Sequence, residues 1–452
     1  MTTTLVTHVA RPTSASRRSP AVPRVTTSIL LSSSIVASLL PSLLPRSSLV
    51  QAVVTALFAA AALLLSALLH RVPTRMRPAA THVVARRIAA TVGAVAVVAA
   101  GIAAARWQNR LRDAMDVPTT GPTHWMEVLC GAVSVCAMLV VIGVGIVRGL
   151  RRAGTQRTTV VTLVLAIAAY LFAVPWAQHA FAARYAVADG VVDTALTMPA
   201  NTSTMSWDGL GREGRKFVAA GTDSAAIRTY AGLRSAATVD ERARLAVDEL
   251  NRTGGFDKAH IVIAVPTGSG WVDENAVRGI EHRFAGDVAT VVLQYSDQPS
   301  WATFLFAEQD AVDATTALLD AVRDELVMLP VDARPQLHVY GQSLGSVAGS
   351  TAVQRDSSLI CSTLWAGPPA GEVTAGGGVV LANSSDPVIW WSGSLFFSRP
   401  DLENARIDAP VPQWIPAISY LQTTVDMLSA LNAPAGHGHR YGDDQGTLLR
   451  EC

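Results

Sequence analysis

Apolar stretches occupy most of the first 176 residues, and no other feature constrains the chain so strongly. Five can be separated, over residues 25–44, 49–69, 88–105, 128–147 and 159–176. About 20 apolar residues let a helix cross the hydrocarbon layer, and each segment is near that length. Arginines set their direction. Arg11, Arg17, Arg18 and Arg24 precede the first segment. Arg71, Arg75, Arg77, Arg86 and Arg87 lie between the second and third, and Arg148, Arg151, Arg152 and Arg157 between the fourth and fifth. The connection over residues 106–127 instead mixes Arg110 and Arg112 with Asp113, Asp116 and Glu127. Basic loops stay in the cytoplasm, so the three clusters share that side. An odd number of crossings then puts everything after Trp176 outside. The first segment is the weakest, with several serines and Pro41, and can instead be a short hairpin or an uncleaved anchor. Losing it moves the N-terminus only. The expected organisation is a cytoplasmic tail over 1–24, an all-helical transmembrane domain over 25–177, an irregular linker over 178–225 and a soluble domain over 226–452.

Charged residues make up only 16% of the 452, and the deficit is concentrated ahead of residue 180. Net charge is +1, with no polybasic tract interleaved with aromatics, which argues against nucleic acid as a partner. The four cysteines lack metal-ligand spacing. Cys130 and Cys136 read as lipid-facing or buried thiols. A Cys361–Cys452 disulfide is permitted outside the cytoplasm.

Beyond residue 225 short β-rich runs (227–231, 260–266, 289–295, 336–340, 359–365, 378–382) alternate with helix-like stretches (239–251, 274–284, 309–327, 343–354). That alternation predicts an α/β fold with a mostly parallel sheet covered on both faces. The run HIVIAVP leads into TGSGW (267–271), where an open α/β sheet carries its active-site loops. There is no dinucleotide or P-loop fingerprint, so no cofactor is expected.

The chemistry is concentrated in QLHVYGQSLG (336–345), where Gly341, Ser343 and Gly345 make a GxSxG pentapeptide. A strand before it and a small-residue helix after it suit a sharp turn that lifts the Ser343 hydroxyl out of the sheet as a nucleophile. The alternative is a glycine-rich turn with a capping serine. Such a fold orders serine, acid, histidine along the chain. Asp386, on a turn after GVVLAN, is the expected acid, with Asp401, Asp408 and Asp426 as weaker rivals. PAGHGHRYG supplies His437 and His439 as candidate general bases. His437 is favoured narrowly, having glycine on both sides, with His439 as support or as the true base. No third ligand accompanies the pair in sequence, so metal is not expected. The oxyanion hole should use the Leu344 N–H and a second N–H from Thr267 or Gly268.

Several further blocks occur in order: PSLLPRSSLVQ (41–51), LGREGRKFV (210–218), TGSGWV, QYSDQPSW (294–301), GQSLGS, WAGPP (365–369), SDPVIWW (385–391) and PAGHGHRYG. In these the chain resembles an actinobacterial family of membrane-anchored α/β-hydrolases, once catalogued as a domain of unknown function, with a separate N-terminal transmembrane domain. The resemblance implies an α/β-hydrolase domain and puts Ser343, Asp386 and one histidine of GHGH on the catalytic positions. It implies no firm substrate. The stretch between Pro369 and Val379 is much shorter than the family pattern, which leaves the lid and substrate pocket open. The leading expectation is a serine esterase or lipase, forming an acyl-enzyme on lipids or acylated cell-envelope components outside the membrane. Trp271, Trp301, Trp390 and Trp391 would line an acyl pocket, touch the interface or simply pack. An acyltransferase would use the same residues. An amidase is less favoured. A non-catalytic envelope scaffold or receptor sits poorly with an intact Ser, Asp and His, and a transporter with spans that lack buried ionisable groups.

Overall fold

The N-terminal apolar segments form helices α1 (Val25–Ser38), α2 (Ser48–Leu69), α3 (Val83–Ala114) and α4 (Pro122–Ala153). The computed structural model describes residues 23–70, 83–153, 169–196, 205–221, 225–373 and 378–452. Helices α2, α3 and most of α4 are long and apolar enough to cross a membrane. Polar contacts join α1 to α2, from Thr27 Oγ1 to Ser66 Oγ (2.7 Å) and from Ser38 Oγ to Thr55 Oγ1 (3.1 Å). Such bonds help helices associate where apolar burial has little driving force.

The first expected span is not one helix. Its 14-residue helix α1 rises only about 21 Å, less than the hydrocarbon core. Pro41 and Pro45 explain the stop, since each lacks an N–H and disfavours helix in the residue before it. Residues 39–47 form a loop instead. The fifth segment, 159–176, lies mostly outside the described residues, as do Arg11, Arg17, Arg18, Arg71, Arg75, Arg77 and Arg157. The stretch 178–225, expected to be irregular, is partly helical. It holds most of α5 (Val174–Gly190) and all of α6 (Gly211–Ala219). Glycines misled the reading here. Gly214 is small because a Cβ would come within 2.4 Å of the Tyr230 ring, and not because the chain bends. Asp189 accepts from Arg212 N (2.9 Å) and Arg234 Nη1 (3.2 Å), tying α5 to α6 and to the segment around Arg234.

The remaining elements alternate. They are β1 (Ile227–Ala231), α7 (Val239–Arg252), β2 (His260–Val265), α8 (Glu274–Arg283), β3 (Val288–Leu293), α9 (Ser300–Phe306), α10 (Glu308–Met328), β4 (Gln336–Gln342), α11 (Leu344–Arg355), β5 (Ile360–Ala366), β6 (Val379–Leu381), α12 (Pro387–Trp390) and α13 (Ile418–Asp426). The strands form one parallel sheet in the order β1-β3-β2-β4-β5-β6. All of β3 and all but the first residue of β2 are buried, as their unbroken apolar runs require of a sheet covered on both faces. Register decides where the chemistry can be. Val265 lies beside Gly341, Gly341 beside Trp365, and Ala366 beside Leu381. The C-terminal ends of β2, β4, β5 and β6 therefore finish level, at one edge. At the opposite edge Cys361 and Cys452 form a disulfide, with Cα atoms 5.6 Å apart.

That opposite edge also holds a buried imidazole. His338 Nε2 lies 3.1 Å from His260 Nδ1 and His338 Nδ1 lies 2.8 Å from Ser362 Oγ. Burial, reinforced by the His260 charge, pushes the His338 pKa down to about 4. The unfolded chain takes this proton near pH 6.5, the folded chain only near pH 4. Stability is therefore full above pH 6.5 and falls between 6.5 and 4, by up to about 3 kcal/mol from this group. Thermal melts of the detergent-solubilised chain should show the midpoint dropping across that window. His338→Gln should flatten the drop, and an unchanged slope in the variant would contradict this assignment.

Candidate active site

Ser343 joins β4 to α11 with φ 54° and ψ −123°, a conformation that L residues rarely adopt and that costs about 1–3 kcal/mol. Its surroundings hold it there. The Ser343 N–H donates to Ala366 O on β5 (2.9 Å), and Ser346 N donates to Ser343 O (2.9 Å). The two glycines are required by contact. A Cβ on Gly341 would sit 2.4 Å from Gly345 O, and one on Gly345 would sit 2.3 Å from Val265 O. Strand β4, helix α11 and the end of β2 thus meet with no room for a side chain. Ser343 itself is nearly buried, and its hydroxyl makes no hydrogen bond among the described residues.

Asp386 is fully buried at the N-terminus of α12, where Oδ1 accepts from Val388 N (2.8 Å). Its Oδ2 accepts from His439 Nδ1 (2.7 Å) and from the Tyr441 hydroxyl (2.8 Å). The histidine favoured from sequence is therefore not the one on this acid. His437 Nδ1 donates to Asp408 Oδ2 instead (3.0 Å), a carboxylate also held by the Ser384 hydroxyl and by the backbone N–H and hydroxyl of Ser385. The reason is backbone shape. Gly436 (φ 90°) and Gly438 (φ 56°), on either side of His437, turn the chain back on itself, and Gly436 N reaches across to Arg440 O (2.7 Å). Flanking glycines thus give His437 no access to Asp386, and the reversal turns His439 inward. His439 is pinned further by its N–H to Ala430 O (3.1 Å) and its C=O to Gln342 Nε2 (3.3 Å), the residue before Ser343. A Cβ on Gly367, just after the carbonyl that holds Ser343, would lie 2.9 Å from His439 Cε1. Ser343, Asp386 and His439 are thus gathered at the level strand ends.

The rival acids have other partners. Asp408 holds His437, Asp426 pairs with Arg46 of the loop between α1 and α2 (2.8 Å), and Asp401 accepts from Glu403 N (3.0 Å).

Among the expected oxyanion donors, Leu344 opens α11, where a backbone N–H has no intrahelical partner and faces the positive end of the helix. Thr267 is corrected by the structure. Its N–H is used within the TGSGW turn, donating to Trp271 O (2.9 Å). The Gly268 N–H donates to the Ser300 hydroxyl (3.2 Å), a rotatable partner that can give way. The tryptophans divide. Trp390 is buried and donates to Ser384 O (2.9 Å), while Trp391 donates to Thr424 Oγ1 (3.0 Å). Trp301 is exposed and packs against Phe181 of α5. Trp271 lines a cleft of about 450 Å³ with Phe217 and Lys216 that does not include Ser343.

Tyr441 was not singled out in sequence, and Asp408 was considered there only as a rival acid, not as the partner of His437. Tyr441 could have been found, since it closes the PAGHGHRYG block two residues after His439. Burial first, then the Asp386 charge and hydrogen bond, raise the Tyr441 hydroxyl well above its ordinary pKa, so it stays a donor.

Residues 227–376 and 377–450 match the sequence model of an α/β-hydrolase family, and residues 39–221 match that of the N-terminus of an α/β-hydrolase family. The break at 376/377 falls in the stretch read as shorter than the family pattern. A search of curated proteins finds no match.

Removing the hydroxyl in Tyr441→Phe leaves a buried carboxylate one donor short, which should cost about 2 kcal/mol. The melting midpoint should fall by about 4–8 °C, with the fold kept. An unshifted midpoint would mean that this hydrogen bond carries no net stability.

Proposed function

Because the chain belongs to the α/β-hydrolase family, we propose that it is a serine hydrolase which cleaves acyl esters through an acyl-enzyme. The observation that carries the reading is the buried Asp386–His439 pair, set beside a serine held in a strained turn. Strain of this kind persists where the surroundings over-determine it and clusters at active sites.

Each residue then has a role. Ser343 Oγ attacks the acyl carbon while His439 Nε2 takes its proton. Asp386 holds Nδ1–H and stabilises the imidazolium without being protonated itself. The Leu344 N–H, with Gly268 once Ser300 rotates, faces the oxyanion. The C–O bond to the leaving alcohol breaks as His439 returns the proton to it. Water repeats the sequence on the acyl-enzyme and releases the acid. An alcohol in place of water would give acyl transfer with the same residues.

The substrate class follows from where the site lies. Leu43 and Leu44, from the loop between α1 and α2, and Leu111 and Met115, from the end of α3, pack in one cluster with Ile389 and Trp390 beside Asp386. The site edge therefore meets the ends of apolar helices, which suits lipids or acylated cell-envelope components as substrates and a multi-pass anchor in the cell membrane. The arginine distribution and the Cys361–Cys452 disulfide both favour an extracytoplasmic catalytic domain.

Fluorophosphonate labelling of the full chain in detergent tests the mechanism. Ser343→Ala should abolish labelling and turnover of a short-chain nitrophenyl ester. His439→Ala should lose at least about 10³-fold in kcat, and the double variant should be little worse than either alone. His437→Ala should be much milder. Near-normal activity in Ser343→Ala would remove the mechanism, and a dead His437→Ala beside an active His439→Ala would return the base role to His437.

A topology reporter fused at Gly221 should be active only as an extracytoplasmic fusion. Activity of a cytoplasm-specific reporter there would reverse the orientation.

A further inference from the structure

The loop over residues 39–47 belongs to the membrane domain, yet it is built into the catalytic one. Helix α3 holds it from one side. Trp107 Nε1 donates to Ser42 O (2.9 Å), Gln108 Nε2 to Ser42 Oγ (2.9 Å), and Arg112 Nη2 to Arg46 O (2.9 Å). Helix α13 holds it from the other. Asp426 Oδ1 accepts from Arg46 Nε (3.0 Å) and Nη2 (2.8 Å), and Asp426 Oδ2 accepts from Leu43 N (2.7 Å). Arg46 Nη2 also donates to Gln422 O (3.1 Å), and Gln422 Nε2 donates back to Ala37 O of α1 (2.8 Å). Arg46 is 2% exposed and Asp426 0%. A carboxylate so deeply buried can stay charged only while its partners remain, so the contact is not an incidental surface pair.

Both routes out of this contact end at the same histidine. Asp426 closes α13, and the 3₁₀ turn after it (Met427–Asn432) carries Ala430, whose carbonyl holds the His439 N–H. Leu44, 1% exposed, has its Cδ2 only 3.2 Å from where a Cβ on Gly438 would stand. Gly438 is otherwise fixed from inside the catalytic domain, by its N–H to Ser385 Oγ (2.8 Å) and its C=O to Asn383 Nδ2 (2.9 Å). The histidine loop is thus braced from three sides, and one of the three is the membrane domain.

We propose that the 39–47 loop positions the catalytic base, with Arg46 acting through Asp426 and Ala430, and Leu44 acting through Gly438. The inference rests on the reading of Ser343, Asp386 and His439 as the triad. On it, the membrane domain is more than a tether. His439 reaches its working geometry only with that loop seated, and α3, which grips the loop, is coupled to turnover. Arg46 and Leu44 are positioning residues, since neither touches the reacting atoms.

The full chain in lipid nanodiscs decides the matter, with three variants: Arg46→Ala, Arg46→Lys and Leu44→Ala. Steady-state kinetics on a short nitrophenyl ester and the rate of fluorophosphonate labelling at Ser343 are measured on the folded fraction, set by melting curves. The expected result is a kcat and a labelling rate lowered at least tenfold in Arg46→Ala, with KM within about twofold, since the substrate site itself is untouched. Arg46→Lys should recover part of the loss, because it restores the charge without the second N–H. Leu44→Ala should fall between wild type and Arg46→Ala. A smaller side chain is the gentler change, so it decides the question if Arg46→Ala does not fold. Folded variants with wild-type kcat and labelling rate would overturn the inference, as would losses that track the folded fraction alone. Ser343→Ala run in parallel separates the two levels. Labelling that survives in it removes the triad reading and the inference together, whereas labelling lost in it and unchanged in Arg46→Ala and Leu44→Ala removes the inference only.

Discussion

Everything at the site depends on how closely helix α11 approaches the ends of β2 and β4. Cβ atoms at Gly341 and Gly345 would fall 2.4 and 2.3 Å from backbone oxygens, so the turn exists only with glycine at both positions. That approach forces Ser343 into its positive-φ conformation and puts the Leu344 N–H at the head of a helix, where it has no intrahelical partner. One steric constraint therefore sets both the conformation of Ser343 and the place of the Leu344 N–H. Parallel register does the rest, bringing the loops after β2, β5 and β6 level with the turn.

The acid is organised by a different rule. A carboxylate removed from water must meet its lone pairs inside the protein. Asp386 does so with Val388 N, His439 Nδ1 and the Tyr441 hydroxyl. Alongside it runs a second set, in which Asp408 takes His437 and the Ser385 hydroxyl, and that hydroxyl accepts from Gly438 N. The two sets are not equivalent. The first touches the serine turn through Gln342, while the second fixes the loop on which His439 is carried. His437 thus bonds Asp408 from the same loop that carries His439 to Asp386.

The buried Arg46–Asp426 pair connects these local rules to the larger architecture. Burying an ion pair stabilises a fold only modestly, but losing one partner is costly because a bare charge remains. Such a pair specifies which surfaces meet. Here it seats the loop between α1 and α2 against α13, so Asp386, at the level strand ends, packs beside the ends of the apolar helices.

The sequence by itself determined the class of the protein. Twenty-residue apolar runs, alternating β-rich and helical patterns and GxSxG between strand and helix are local signals, each readable within a few residues of itself. All six strands were legible to within about two residues for that reason, and so was the position of Ser343 and Asp386 just beyond a strand. What failed was whatever depended on distant groups. Glycines over 209–221 read as an irregular linker, because nothing local reveals the Tyr230 ring pressed on Gly214. His437 looked the better base because its flanking glycines are visible in sequence, whereas Asp408, 29 residues away, is not visible as its partner. Thr267 looked free because the turn back to Trp271 O is a matter of backbone geometry. Arg46 and Asp426, 380 positions apart, carry no mark of each other at all. Only the tertiary structure decided these, because which hydrogen bond a buried group makes is set by every element packed around it and not by its neighbours in the chain.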